Sequence, residues 1–159
     1  MQTVEKHREV FQSHAGIWDA TFAKFMFGPV VSPMLTSGVE TNRLLNGGNW
    51  LIMSQHYEYP GGVFEGWGMY GFDPQKDRYV GSWADSTNTH LNVSEGTYDA
   101  ETRSLTLIAE GVDPTTGEQV RVKQVISQKD DDTKVFQVFR SREDGPDMKL
   151  LEVEAKRRK

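Results

Sequence analysis

Asp85 stands two residues after Trp83 in the run Tyr79-Val80-Gly81-Ser82-Trp83-Ala84-Asp85, on the face that strand alternation gives to Tyr79, Gly81 and Trp83. A carboxylate on an otherwise apolar face is either a paired structural acid or part of a site. His90 follows across the short stretch Ser86-Thr87-Asn88-Thr89. Asp85 could hydrogen-bond its ring and raise its pKa, making an acid–base pair at a cavity mouth; the same spacing equally suits an exposed loop histidine. Glu152 is a second carboxylate on an apolar stripe, after Met148 and Leu150. Two carboxylates in one apolar cavity push their pKa values apart, which suits acid–base chemistry.

Uncharged polar residues interrupt other apolar stripes. Gln124 lies among Val120, Val122 and Ile126, and Gln137 lies between Val135 and Phe139. Buried polar groups need partners, so these residues satisfy one another, bind water or contact a ligand. With Asp85 and Glu152 they would form a polar patch in a cavity walled by Tyr57, Trp67, Tyr70, Trp83 and Phe139, and mostly apolar walls with a few placed polar groups are usual for small-molecule sites. If Val39, Thr41 and Arg43 face inward, Arg43 would pair with Asp85 or Glu152, or hold a ligand carboxylate. The leading expectation is binding of a small, largely apolar organic ligand. The alternative is a cofactor-free isomerase, cyclase or lyase using Asp85 with His90 or Glu152, and a third reading is an interaction module with a filled interior.

Several function classes lose support. Eighteen Lys and Arg against 23 Asp and Glu give a formal net charge of -5, which argues against electrostatic binding of nucleic acid or anionic membrane. Cys is absent, and no histidines are paired at metal-ligand spacing, so no metal and no cofactor are expected. Gly66, Gly68 and Gly71 mimic a phosphate-binding glycine pattern but lie inside an alternating strand with no helix after it. The chain shows no signal-like start and no long apolar run, and the expectation is a cytoplasmic protein. The terminal Lys156-Arg157-Arg158-Lys159 reads as a solubilising tail.

The elements that must position these residues are mostly strands. Phe64 to Asp85 reads as two strands around a tight Asp-Pro turn, with glycines at period two where a barrel wall curves or another group approaches closely. Alternating runs begin near Ile17, Val39, Trp50, Phe64, Tyr79, Leu91, Ser104, Gln119, Thr133 and Met148, separated by Asn-, Asp-, Gly- and Pro-rich turns. About ten consecutive antiparallel strands avoid open edges by closing into an up-and-down β-barrel, whose width leaves an internal cavity. Val4 to Ser13 reads as one short helix with Val4, His7 and Phe11 on one side, covering a barrel end. In it His7 and His14 are expected to be solvated or capping, and His56 to point outside the barrel. The expectation is one all-β domain, 1–159, with a covering helix in 1–15 and the barrel in 16–159. Gly28 to Gly38 reads as a loop over one mouth, and Phe136, Val138 and Leu151 would favour a homodimer if they form one outer patch.

Gly16-Ile17-Trp18 resembles the Gly-x-Trp signature that opens the first strand of lipocalin-like, or calycin, barrels. Together with Asn46-Gly47-Gly48, Phe64-Glu65-Gly66-Trp67-Gly68, Gly71-Phe72-Asp73, Trp83-Ala84-Asp85-Ser86 and Ser94-Glu95-Gly96-Thr97-Tyr98-Asp99, the chain resembles a bacterial domain-of-unknown-function family, number fifteen seventy-nine, from about His14 to Lys156. The resemblance implies a calycin-like barrel in which Trp18 packs at the closed end against a late-strand arginine, Arg157 or Arg140. The barrel also resembles nitrobindins, which hold haem through a histidine near the C-terminus. Here the last histidine is His90 and the strands after it contain none, a departure that argues against haem.

Overall fold

The computed structural model describes residues 4–25, 37–112, 116–141 and 146–159. Helix α1 (Val4–His14) precedes ten strands: β1 (Gly16–Phe25), β2 (Ser37–Leu44), β3 (Trp50–Tyr59), β4 (Gly62–Asp73), β5 (Arg78–Asp85), β6 (Asn92–Asp99), β7 (Ser104–Val112), β8 (Gln119–Asp130), β9 (Thr133–Ser141) and β10 (Met148–Arg157). Each strand pairs antiparallel with its neighbour in the chain, and β1 also pairs with β10, so the meander closes into a barrel with no free edge. Gly47 and Gly48 turn β2 into β3 with positive φ angles of 90° and 73°, a conformation that costs glycine little. The expected loop at Gly28 to Gly38 falls outside the described residues up to its last two, which belong to β2. Among the described residues no helix is long and apolar enough to cross a membrane.

One end of the barrel is plugged by α1. The buried side chains His7, Val10, Phe11 and His14 recur at helical spacing, so one stripe of the helix faces the barrel interior, while Val4 is 52% exposed and takes no part. Both helix histidines are therefore buried rather than solvated. His7 stacks on Phe72 at 3.5 Å between ring centroids, and its Nδ1 shares a 2.7 Å hydrogen bond with the Tyr79 hydroxyl. The His14 carbonyl accepts from Trp18 Nε1 at 3.0 Å and from Asn42 Nδ2 at 2.9 Å.

The C-terminal basic run ties this end shut instead of trailing as a tail. Arg157 lies over the Trp18 ring at 4.2 Å and donates to the carbonyls of Ser13, Ala15 and Asp131. It is thus the arginine partner of Trp18, and Arg140 sits elsewhere. Lys156 donates to Thr133 Oγ1, Arg158 pairs with Asp19, and Lys159 pairs with Asp132.

Burial alternates along several strands, and its phase corrects several expectations. On β2 the buried residues are Gly38, Glu40 and Asn42, so Arg43 is exposed on the outer face. Trp67 is 63% exposed on the outer face of β4, opposite the inward Phe64, Gly66, Gly68 and Tyr70. On β9 the inward residues are Lys134, Phe136 and Val138, which puts Gln137 and Phe139 outside. A bulge between Lys149 and Leu151 lets both Leu150 and Leu151 turn inward and throws Glu152 to the outer face. There Glu152 accepts from Gln137 Nε2 at 2.8 Å and pairs with Lys149, while the Phe139 ring lies between Lys123 and Lys149. Phe136 and Leu151 are core residues and Val138 faces the interior, so they form no outer patch on which a second copy could pack. His56 is exposed on the outer face, as its strand pattern predicts.

Candidate functional site

At the end away from α1 the interior opens into a cavity of about 900 Å³. Its base is Trp83 and Phe136, ring centroids 6.0 Å apart. Glycines on β4 make room for the indole: a Cβ on Gly66 would lie 2.2 Å from Trp83 Cζ2, and one on Gly68 would lie 2.8 Å from Trp83 Cε3. The period-two glycines thus serve a close approach, with the Trp83 ring lying across the β4 backbone. Phe64, Val120, Val122, Val138, Leu150 and Leu151 supply apolar walls. Exposed residues from 87 to 90, with Tyr59, Val112 and Met148, also line the space, so it communicates with solvent.

Polar side chains on the rim and walls give the cavity its chemistry. Asp85 closes β5 as a bracket, Oδ2 accepting from Trp83 Nε1 at 3.0 Å and Oδ1 accepting from the Thr87 backbone N–H at 2.9 Å and from the Thr87 hydroxyl. It is at once a structural acid that holds the indole in place and a cavity residue. His90 lies on the rim, exposed, its backbone N–H donating to Asn88 Oδ1 at 2.8 Å; its ring is not among the donors that Asp85 takes. Gln124 projects from β8, only 5% exposed, and its Oε1 has no hydrogen-bond partner among the described residues. Arg140 lines the cavity from β9.

Of the site residues expected from sequence, the cavity brings together Trp83, Asp85, His90 and Gln124. Tyr57 and Tyr70 do point inward but are buried in the core and do not line it. Burial raises both phenol pKa values above the ordinary tyrosine range, so these rings are neutral packing groups. Arg43, Trp67, Gln137, Phe139 and Glu152 lie on the far side of the wall. From the sequence Arg140 is expected only as a partner for Trp18. Its signal is the even-numbered phase of β9, Phe136, Val138, Arg140, which competes with an equally apolar odd-numbered phase, Val135, Gln137, Phe139.

A second polar cluster fills the helix end. Lys134 and Glu40, 1% and 2% exposed, form an ion pair inside the barrel, and Glu40 also accepts from Asn42 Nδ2 at 2.6 Å and Gln55 Nε2 at 3.0 Å. The Lys134 ammonium lies over the Trp18 ring at 4.5 Å. Burial, and next the Arg157 guanidinium, push the Lys134 pKa well down. Burial, reinforced by Lys134, Arg103 and Arg157, lowers the His14 pKa to about 3, so its ring is neutral. Among the described residues no three or more His, Cys, Asp or Glu cluster as metal ligands.

A family model described as "Protein of unknown function (DUF1579)" matches residues 3–157. No curated protein matches the chain. Among solved structures, a protein of unknown function from the DUF3598 family of Nostoc punctiforme is similar at 10% identity, covering 99% of this chain and 100% of that one with a TM-score of 0.24. A score that low carries no inference about this chain.

Proposed function

The chain belongs to the DUF1579 family of proteins of unknown function, and we propose that its barrel binds a small, largely apolar organic molecule in the cavity at the end away from α1. The observation that carries this reading is the cavity itself: about 900 Å³, aromatic at its base, aliphatic on its walls, with Asp85, Asn88, His90, Asn92, Gln124 and Arg140 among its polar side chains. Small-molecule sites commonly occupy about 300–1,000 Å³ with this balance of lining. Asp85 and Gln124 keep the orienting role expected of them, while Gln137 and Glu152 face the outer surface.

Binding is better supported than cofactor-free catalysis. Glu152 is separated from Asp85 by the barrel wall, and the Asp85 carboxylate is already engaged by Trp83 and Thr87. A general base needs hydrogen-bond reach of the proton it takes, and a pair of acids needs one shared space.

Native mass spectrometry of protein purified gently from its source cells, compared with the denatured mass, tests the reading. A bound mass that is reduced in Trp83→Phe and Asp85→Asn is the expected result. Protein with no bound mass, whose tryptophan emission is also unmoved by titration with medium-chain amphiphiles, would overturn it.

A further inference from the structure

We infer that the molecule held in the cavity is a neutral, hydroxyl-bearing compound with an apolar body, its hydroxyl donating a hydrogen bond to Gln124 Oε1. The inference rests on the cavity-binding reading above and adds the head group of the ligand. Gln124 lines the cavity from β8, is only 5% exposed, and its Oε1 has no hydrogen-bond partner among the described residues. The register gives the reason. Its ladder partners are Leu107 on β7 and Val138 on β9, and the inward positions before and after it on β8 are Val122 and Ile126. None of these four side chains carries a polar atom, so the amide is set into an aliphatic stretch of wall where the donor has to come from the cavity.

The chemistry of that oxygen narrows the head group. An amide oxygen only accepts, so an ionised carboxylate, which also only accepts, leaves it unsatisfied. An ammonium would give it one N–H and leave two more, with a full charge, against Val122 and Val138, which is costly. The Asp85 oxygens are already taken up by Trp83 Nε1 and by Thr87, so an ammonium gains little from that side either. A hydroxyl carries one O–H, which the oxygen accepts, and lone pairs that accept in turn from an amide N–H or from water. The terminal torsion of a glutamine is broad, so the amide can turn its oxygen to meet such a group. A buried acceptor without a donor is costly, and a bound hydroxyl recovers that cost without bringing a charge into the apolar wall.

Calorimetric titration of the whole protein near neutral pH with octan-1-ol, its isomer 1-methoxyheptane, octanoate and octylamine separates the head groups on similar tails. The ether has the same atoms as the alcohol without an O–H donor. Octan-1-ol should bind about five- to a hundred-fold more tightly than the ether, the range for leaving one buried acceptor without its donor, and more tightly than the acid or the amine. Gln124→Met, which keeps an unbranched side chain of the same length, should bring the alcohol and the ether to equal affinity. An alcohol preference that persists in that variant would overturn the assignment of Gln124 as the acceptor. Ether, acid or amine binding as tightly as the alcohol to the unaltered protein would overturn the hydroxyl assignment while leaving the cavity a binding site. That comparison decides the matter even if the Gln124 variant fails to fold. Binding of none of the four would overturn the assignment and the cavity-binding reading together.

Discussion

The two ends of this barrel solve the same problem, an interior too wide for wall side chains alone, in opposite ways. At the helix end the space is filled: α1 inserts His7, Val10, Phe11 and His14, and a buried Glu40–Lys134 pair with Asn42 and Gln55 occupies what remains. At the other end the walls are more apolar, yet a cavity of about 900 Å³ persists above Trp83 and Phe136. At the helix end Glu40, Lys134, Asn42 and Gln55 bond to one another, yet His14, Asn42 and Gln55 each keep a buried atom with no partner among the described residues, as Gln124 Oε1 does in the cavity. What separates the two ends is space: side chains paired across the barrel occupy one, and an apolar-walled cavity is left open at the other.

The contrast predicts that substitutions at the helix end cost stability, while most at the cavity end cost binding. Lys134→Met should have the largest effect, because it leaves the Glu40 carboxylate buried without its counter-charge; a loss of about 3–5 kcal/mol in urea unfolding is expected. Pairing it with Glu40→Gln should recover much of that loss, and stability equal to the parent in the single variant would mean that the pair does not hold this end.

Acid should also strike the helix end. The folded-state pKa of His14, about 3, lies below its ordinary value of 6.5, so the unfolded chain takes up the proton first. The stabilising difference is whole above pH 6.5 and declines as pH falls towards 3, by roughly 1.4 kcal/mol per pH unit. His14→Leu should flatten this part of the stability profile, since neither ring nitrogen has a hydrogen-bond partner among the described residues. An unchanged slope in that variant would assign the acid sensitivity to other groups.

Gly66→Ala sharpens the comparison from the cavity side. The new methyl meets the rigid indole of Trp83 at 2.2 Å, so the ring must move off β4. We expect a loss of about 1–3 kcal/mol together with weakened ligand binding, making this a cavity-end position where both properties fall. Parent-like melting and binding would show that the indole has room to yield. The smallest effect belongs to Trp67→Ala: at 63% exposure on the outer wall, it should change stability by no more than about 0.5 kcal/mol and leave cavity binding as it was. A drop in affinity would place Trp67 in contact with the ligand.

How legible each end was in the sequence differs for a physical reason. Trp83 and Asp85 could be read because β5 has one plainly apolar face, and Gln124 because it interrupts a run of Val and Ile. Glu40 and Lys134 could not, because charged residues are assigned to solvent by default and their burial depends on meeting each other across the barrel. Arg140 was hidden by a strand apolar on both faces, where a one-residue change of phase exchanges inside for outside.

Local chemistry determined the rest. Alternation at period two and turn residues at regular intervals specify ten antiparallel strands, the helical spacing of His7 and Phe11 specifies a covering helix, and avoidance of open edges specifies closure. Only the tertiary structure decided which face of each ambiguous strand points inward, that the β10 bulge sends Glu152 outside, and that Arg140 joins Gln124 at the cavity. The reason is that a two-residue period defines two faces without ranking them; the ranking comes from register with strands distant in sequence, and in a closed barrel that register is settled only when β1 meets β10.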